Sequence, residues 1–343
     1  MSPQSLTTAL KQEAERLGFH LAGACPATRP PGVGRFLDWL AAGYAGEMHY
    51  LSDRVEACQD PHRVLEGAQS ILMLGMAYGG AAPRAPSAGQ GRVSRYAWGA
   101  DYHAVIRARL RRLAEFHLDL TPGARVRGVV DTAPLLEREF ARMAGLGWIG
   151  KNTMLLNRQH GSWFYLAALL TTETLAHDDP HAHDHCGACR ACLDACPTGA
   201  LVAPHQLDAR KCISYLTIEH RGHVAAELRE GLGDWLFGCD VCQEVCPWNR
   251  RAKAGGDASF APRSYLNPVE LAELFALDEA AFGERFRKTA LWRAKRRGLL
   301  RNAAIVLGNR RHDAALPALR KALGDPDPVV RAACAWALSR CGA

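Results

Sequence analysis

The chain has 343 residues, 48% of them hydrophobic, and a formal charge of +7 from 42 Lys and Arg against 35 Asp and Glu. That length supports two or three domains with cores of their own, and the composition is ordinary for a soluble protein. No apolar stretch is long enough to span a bilayer and no charged-then-apolar leader opens the sequence, so a reducing, cytoplasmic setting with no membrane partner is expected.

Ser5 to Leu17 reads as an amphipathic helix with Leu6, Leu10, Ala14 and Leu17 on one face. The apolar run within Gln69 to Gly75 marks a buried strand, and Gly79 to Gly91, rich in Gly, Pro, Ala and Ser, is a loop. Helical spacing returns from Asp101 to Leu118 through Val105, Leu110, Leu113 and Phe116, and Arg125 to Val130 is the next strand. Asp131-Thr-Ala-Pro134 ends that strand and starts a helix to Ala144, with Asp131 or Thr132 as its cap and the proline in its first turn. Helix and strand alternating over residues 1–174 give an α/β (α+β) domain.

Asp131 therefore sits at the C-terminal end of a strand, the edge where α/β sheets place their chemistry. Capping is the plainer role. Beside an apolar cofactor, a carboxyl there could instead have a raised pKa and donate a proton.

Gly145-Leu-Gly147-Trp-Ile-Gly150-Lys151-Asn152 approximates a dinucleotide fingerprint and misses a phosphate loop by one residue. Both readings fail, because these glycines follow a helix rather than a strand, and Gly145 belongs at that helix's C-terminus. The bend could still let backbone approach a bulky ligand closely. His177, His181, His183 and His185 lie among Asp and Pro and fit a solvated linker better than a metal site.

Two cysteine runs follow. Cys186-x2-Cys189-x2-Cys192-x3-Cys196-Pro197 is a complete match to the spacing that wraps a 4Fe-4S cubane, and Cys212 with Cys239-x2-Cys242-x3-Cys246-Pro247 is a partial one. In two-cluster ferredoxins the fourth cysteine of each run serves the other cluster. One set is then Cys186, Cys189, Cys192 and Cys246, and the other is Cys212, Cys239, Cys242 and Cys196. Zinc usually takes two Cys-x2-Cys pairs, and disulfides do not suit a reducing compartment. Cys25, Cys58, Cys334 and Cys341 lack such spacing and are expected to be buried or incidental. This ferredoxin-like unit covers residues 175–255.

Residues 256–343 are helical. The run starting at Leu300 resembles that starting at Val330, which suggests a short HEAT-like repeat, with a plain helical bundle as the alternative. Ten basic residues and one acid, Glu284, fall between Ala281 and Arg311, with Phe286 and Trp292 interleaved. Such a window suits either a solvated helical face or a polyanion such as RNA.

Together these stretches resemble the epoxyqueuosine reductase family. The carrying residues are Ser94-Arg-Tyr-Ala-Trp-Gly-Ala-Asp-Tyr-His103, Asp131-Thr-Ala-Pro-Leu-Leu-Glu-Arg138, Ala144 to Asn152, both cysteine runs, Cys212 to Glu219 and the helical tail. The resemblance implies reduction of epoxyqueuosine to queuosine in the anticodon loop of tRNA, the last step in making that base, with cobalamin between the N-terminal and cluster domains. The usual corrinoid signature Asp-x-His-x-x-Gly is absent, since Ile106 stands where its glycine would be, so the resemblance points to base-off cobalamin. It implies Asp131 as proton donor. Arg54, Ser94, Arg95, Tyr102, His103, Arg138, Lys151, Asn152 and Ser214, with Asp131, would hold the corrinoid or the substrate base. Arg285, Arg287, Lys288, Arg293, Lys295, Arg296 and Arg297 would grip tRNA. A monomer served by a separate electron donor is expected. A reductive dehalogenase-like enzyme and a ferredoxin-type electron carrier are the rival readings. The first lacks its usual export signal, and the second leaves the N-terminal residues unexplained.

Overall fold

The computed structural model describes residues 1–79, 81–253 and 256–342. Gly80 of the expected loop, and Ala254, Gly255 and Ala343 at the expected domain ends, lie outside them.

The N-terminal half is organised by a four-stranded sheet in the order Leu21–Pro26, Ser70–Ala77, Phe164–Thr171, Val126–Val129, every pairing antiparallel. Ser70–Ala77 is buried throughout because both faces of the sheet are covered. Leu72, Leu74 and Met76 meet Leu6, Leu10, Ile106 and Leu110 of the helices Pro3–Arg16 and Tyr102–Leu120. The alternate residues Ile71 and Met73 pack with Phe140 and Ala141 on the other side. The sheet is thus α+β, and the rule that places chemistry at the carboxyl edge of a parallel sheet does not account for Asp131.

Two local expectations also change. The helix after the last edge strand is Glu137–Met143, capped at Leu136, so neither Asp131 nor Thr132 caps it and Pro134 precedes it. In between, the chain makes tight bonds from the Thr132 amide to the Val130 carbonyl and from the Leu135 amide to the Ala133 carbonyl. Asp131 sits there at φ +55°, left-handed backbone that a non-glycine residue adopts only when its surroundings hold it. Within the expected loop of residues 79–91, Gln90 and Gly91 already belong to the strand Gln90–Val93, which pairs with Trp235–Phe237 and Val269–Glu270.

Gly145 does end its helix, at φ +75°. Its amide donates to the Arg142 carbonyl and that of Leu146 to Ala141, closing a Schellman motif. The next glycine serves the protein's own backbone rather than a ligand's: a Cβ at Gly147 would lie 2.0 Å from the Leu156 carbonyl oxygen.

The C-terminal helices centre on Lys295–Arg310, in which every residue from Gly298 to Gly308 is buried. Pro328–Arg340 packs along it. Their core also contains Val93, Trp98, Leu236 and Phe237, so the expected boundary at residue 256 divides the sequence but not the core. Arg301, 1% exposed, explains the union. Its guanidinium donates to the carbonyls of Leu216, His220 and Gly222 and to the Asn302 side chain, whose amide donates to Thr217 and Leu236. This arginine of the basic window is structural. Arg301→Met should cost about 3 kcal/mol or more, because it strands several buried carbonyls, and equilibrium denaturation measures the loss.

Candidate active site

A cleft with a volume of about 370 Å³ is lined by the sheet, the Asp131 loop and the cysteine-rich segment. Tyr78, Tyr96, Tyr102, Phe164 and Tyr165 give it an aromatic wall, with Tyr102 and Tyr165 stacked at 4.5 Å. Cys196, Cys212, Cys239 and Cys242 open onto the same space, as do Ser94, Asp131, Glu137, Arg138, Asn152 and Ser214.

Asp131 is held from several sides. Its Oδ2 lies 3.1 Å from His103 Nε2, and His103 Nδ1 lies 2.8 Å from Asp101 Oδ1. Asp101 in turn caps the helix Tyr102–Leu120 through the His103 amide, which fixes the imidazole between two carboxylates. The Asp131 amide donates to Glu137 Oε1 at 2.9 Å, and Arg54 donates to the Thr132 carbonyl at 3.2 Å. These bonds hold the left-handed turn.

The electrostatics reverse one expectation. Burial raises the Asp131 carboxyl, but the hydrogen bond and charge of His103 and the Tyr102 hydroxyl outweigh it, and the pKa is lowered. Burial opposes charge on His103 too, yet its bonds to Asp101 and Asp131 raise it to about 9. Among the carboxyls that line the cleft, Glu137 is raised, to about 8, through burial and the nearby Asp131 charge. Sequence reasoning passed over Glu137 because the expected helix already contained it. Its signal was its place in the Asp131–Arg138 stretch that carries the resemblance.

Other expected ligand-holding residues are engaged by the protein's own groups. The Arg95 guanidinium lies 4.5 Å over the Trp163 ring and does not line the cleft. Lys151 Nζ donates to the Gly187 and Cys189 carbonyls, bracing the first cysteine loop. Arg54 and His103 act on the Asp131 loop from outside the lining. Ser94 lines the cleft, but its hydroxyl donates to Asp240 Oδ1 at 2.5 Å, between Cys239 and Cys242. Arg138 donates to the Thr153 carbonyl at 2.6 Å.

A second, smaller pocket gathers Cys186, Cys189, Cys192 and Cys246 with Trp248 and His185. The eight cysteines thus fall into two groups of four, with Cys196 and Cys246 each standing among the other run's residues. Each Cys-x2-Cys turn enters a one-turn helix, Ala191–Asp194 or Val241–Glu244, and these two pack together. Asn152 lines both spaces and donates to the Cys242 carbonyl at 3.4 Å, so the two groups are neighbours. Cys25, Cys58 and Cys334 are buried and Cys341 is partly so. Of the histidines, His181 and His185 pack on Trp148, and His177 lies 3.1 Å from the Ser70 hydroxyl.

The basic window is less free than its composition implies. Arg296 is bound to Asp325 at 2.7 Å with both side chains almost enclosed, and it also holds the Leu277 carbonyl, so it is not available to RNA. Arg285 pairs with Glu273 and Arg297 with Asp327, each at 3.6 Å. Arg293 makes a two-pronged bond to Glu219 at 2.9 and 2.8 Å. Arg287 and Lys295 lie over the Trp292 ring at 5.4 and 4.1 Å, and Lys288 is exposed.

Two family models match the redox and helical parts: a 4Fe-4S double cluster binding domain over residues 185–249 and HEAT repeats over 289–343. A mixed α and β domain beside a double iron–sulfur segment and a helical repeat defines an iron–sulfur oxidoreductase. A third model, epoxyqueuosine reductase QueG, DUF1730, matches 59–132. The epoxyqueuosine reductase of Pseudomonas aeruginosa is 42% identical over 99% of this chain and 96% of its own, and that of Escherichia coli K12 is 39% identical over 98% and 89%. A crystal structure of epoxyqueuosine reductase with a tRNA-Tyr epoxyqueuosine-modified stem loop superposes with a TM-score of 0.92 at 33% identity, covering 99% of this chain and 91% of that one. The Streptococcus thermophilus enzyme gives 0.89 at 30% identity over 97% and 90%. The chain belongs to the epoxyqueuosine reductase family. Among the described residues no helix is long and apolar enough to cross a membrane.

Proposed function

We propose that this chain reduces epoxyqueuosine to queuosine in the anticodon loop of tRNA, acting as a cytoplasmic monomer that takes electrons from a separate donor. The reaction consumes two electrons and two protons, opens the epoxide, forms the alkene and releases its oxygen as water. The observation that carries this reading is that Asp131 and four cysteines line one cleft.

In this reading Cys186, Cys189, Cys192 and Cys246 hold an outer 4Fe-4S cluster, and Cys196, Cys212, Cys239 and Cys242 hold an inner one at the cleft. The lining suits base-off cobalamin: it is mainly apolar and aromatic, and edged by the polar groups of Arg138, Asn152 and Ser214. Cobalamin, when bound, supplies a low-valent metal that turns single-electron delivery into a two-electron reduction. His103 has both ring nitrogens committed to Asp101 and Asp131 and is not offered to cobalt.

Asp131 protonates the departing oxygen. It rests ionised, so its proton comes from the His103 imidazolium across the 3.1 Å contact, and Asp101 steadies the imidazole through that transfer. The direct test is anaerobic turnover of epoxyqueuosine-containing tRNA with a strong chemical reductant and added cobalamin, followed by nucleoside mass spectrometry. Queuosine should appear, and its absence with both clusters and cobalamin loaded would defeat the proposal.

The relay predicts a pH dependence. With its pKa raised from the usual 6.5 to about 9, His103 stays charged through neutrality, and turnover should fall as pH climbs through about 9. The stability gained from its pairing is complete below about 6.5 and lost as pH rises through the folded value. In His103→Gln the alkaline limb assigned to this group should vanish along with most of the rate. Rate profiles of the two proteins decide it.

A further inference from the structure

Tyr50 is a large apolar side chain left 43% exposed, and isolated exposures of that kind are common enough to need no explanation. Its surroundings set it apart. It lies in the one-turn helix His49–Ser52, and a few residues on Arg54 donates to the Thr132 carbonyl beside Asp131. On the other side its ring lies 5.8 Å from the Arg293 guanidinium, from the helical repeat. Arg293 is locked by Glu219, which closes the helix Ile213–Ile218 whose Ser214 and preceding Cys212 line the cleft. Four segments distant in sequence therefore meet beside the catalytic loop. Arg293 is charged where Asp131 feels it, and Asp131 in turn acts on the Tyr50 hydroxyl.

The chemistry on offer is a half-exposed aromatic face beside a cation of fixed orientation. Glu219 engages Arg293 Nε and Nη2, and the Arg293 side chain remains 53% exposed, open to an anion from solvent. A ring that accepts a base by stacking, next to a guanidinium that accepts a phosphate, recognises an unpaired nucleotide. The track continues through Trp292 with Arg287 and Lys295 over its ring.

We infer that Tyr50 and Arg293 form a nucleotide subsite beside the Asp131 loop: Tyr50 stacks an unpaired anticodon base neighbouring the reacting one, and Arg293, positioned by Glu219, pairs with the connecting phosphate. The inference rests on the tRNA reading above and names the side chains that splay the loop for entry. It also gives the Glu219 pair a purpose, since an exposed ion pair adds little stability by itself.

The test is binding of an unmodified anticodon stem–loop RNA to the cluster-loaded protein, read by fluorescence anisotropy and by 2-aminopurine placed beside the modification position. Tyr50→Ala should weaken binding about 5- to 150-fold and leave 2-aminopurine unquenched, whereas Tyr50→Phe should stay within about twofold of wild type. Arg293→Gln should lower the slope of log affinity against log salt by about 0.7, the share of one single-strand phosphate. Cluster absorbance checks that each variant is folded, and Tyr50→Phe keeps the question open to measurement if Tyr50→Ala is not. Wild-type affinity and quenching in Tyr50→Ala would overturn the subsite even if the enzyme makes queuosine. Failure of the wild type to make queuosine would overturn the reading beneath it, while the RNA-binding result stands by itself.

Discussion

Asp131→Asn should retain both iron–sulfur chromophores and bind cobalamin, yet lose about 100- to 10,000-fold in turnover, the usual contribution of a positioned acid. The substitution keeps the shape and the hydrogen-bonding reach of the side chain. It removes the ability to accept a proton from His103 and pass it on, together with the charge that raises His103 and Glu137. Glu137 is the competing acid, because it lines the same cleft and its pKa of about 8 keeps it protonated at neutral pH. Its Oε1 already accepts the Asp131 amide, which makes it a positioning group for the left-handed turn. Glu137→Gln should therefore reduce kcat with little change in the shape of the pH profile. If Asp131→Asn instead turned over like wild type while Glu137→Gln lost the alkaline limb, the acid would be Glu137.

The first cysteine run was legible because three thiolates at Cys-x2-Cys-x2-Cys spacing share one turn. The apolar run at Ser70–Ala77 was legible for a similar reason, since a strand covered on both faces has no room for polar residues. Charge was not legible in this way. Nothing near Arg296 in the sequence announces Asp325, and nothing near Arg301 announces the carbonyls of Leu216 and His220, yet those distant partners make fasteners of one expected RNA contact, Arg296, and of another arginine in the basic window. Asp131 shows the same limit at closer range. Its position was found by resemblance, but the direction of its pKa depends on His103, a helix away, and the turn geometry on Glu137.

The strongest test of how the two cysteine groups are wired is Cys196→Ala. Read along the chain, Cys196 completes the first run, so a chain-local view has this variant lose the cluster of Cys186, Cys189 and Cys192. The fold places Cys196 at the Asp131 cleft with Cys212, Cys239 and Cys242, and Cys246 with the first three. Cys196→Ala should then lose the inner cluster, keep about half of the iron, and retain the outer cluster's absorbance and paramagnetic signal on reduction. Turnover should disappear, because electrons that reach the outer site have no path across to the cleft. Cys246→Ala should do the reverse, keeping the inner cluster while losing the outer one. A strong soluble reductant acting at the cleft should restore partial turnover to Cys246→Ala and none to Cys196→Ala. That asymmetry cannot arise if each run holds its own cluster, and iron content with single-turnover rates on the two variants is enough to separate the two wirings.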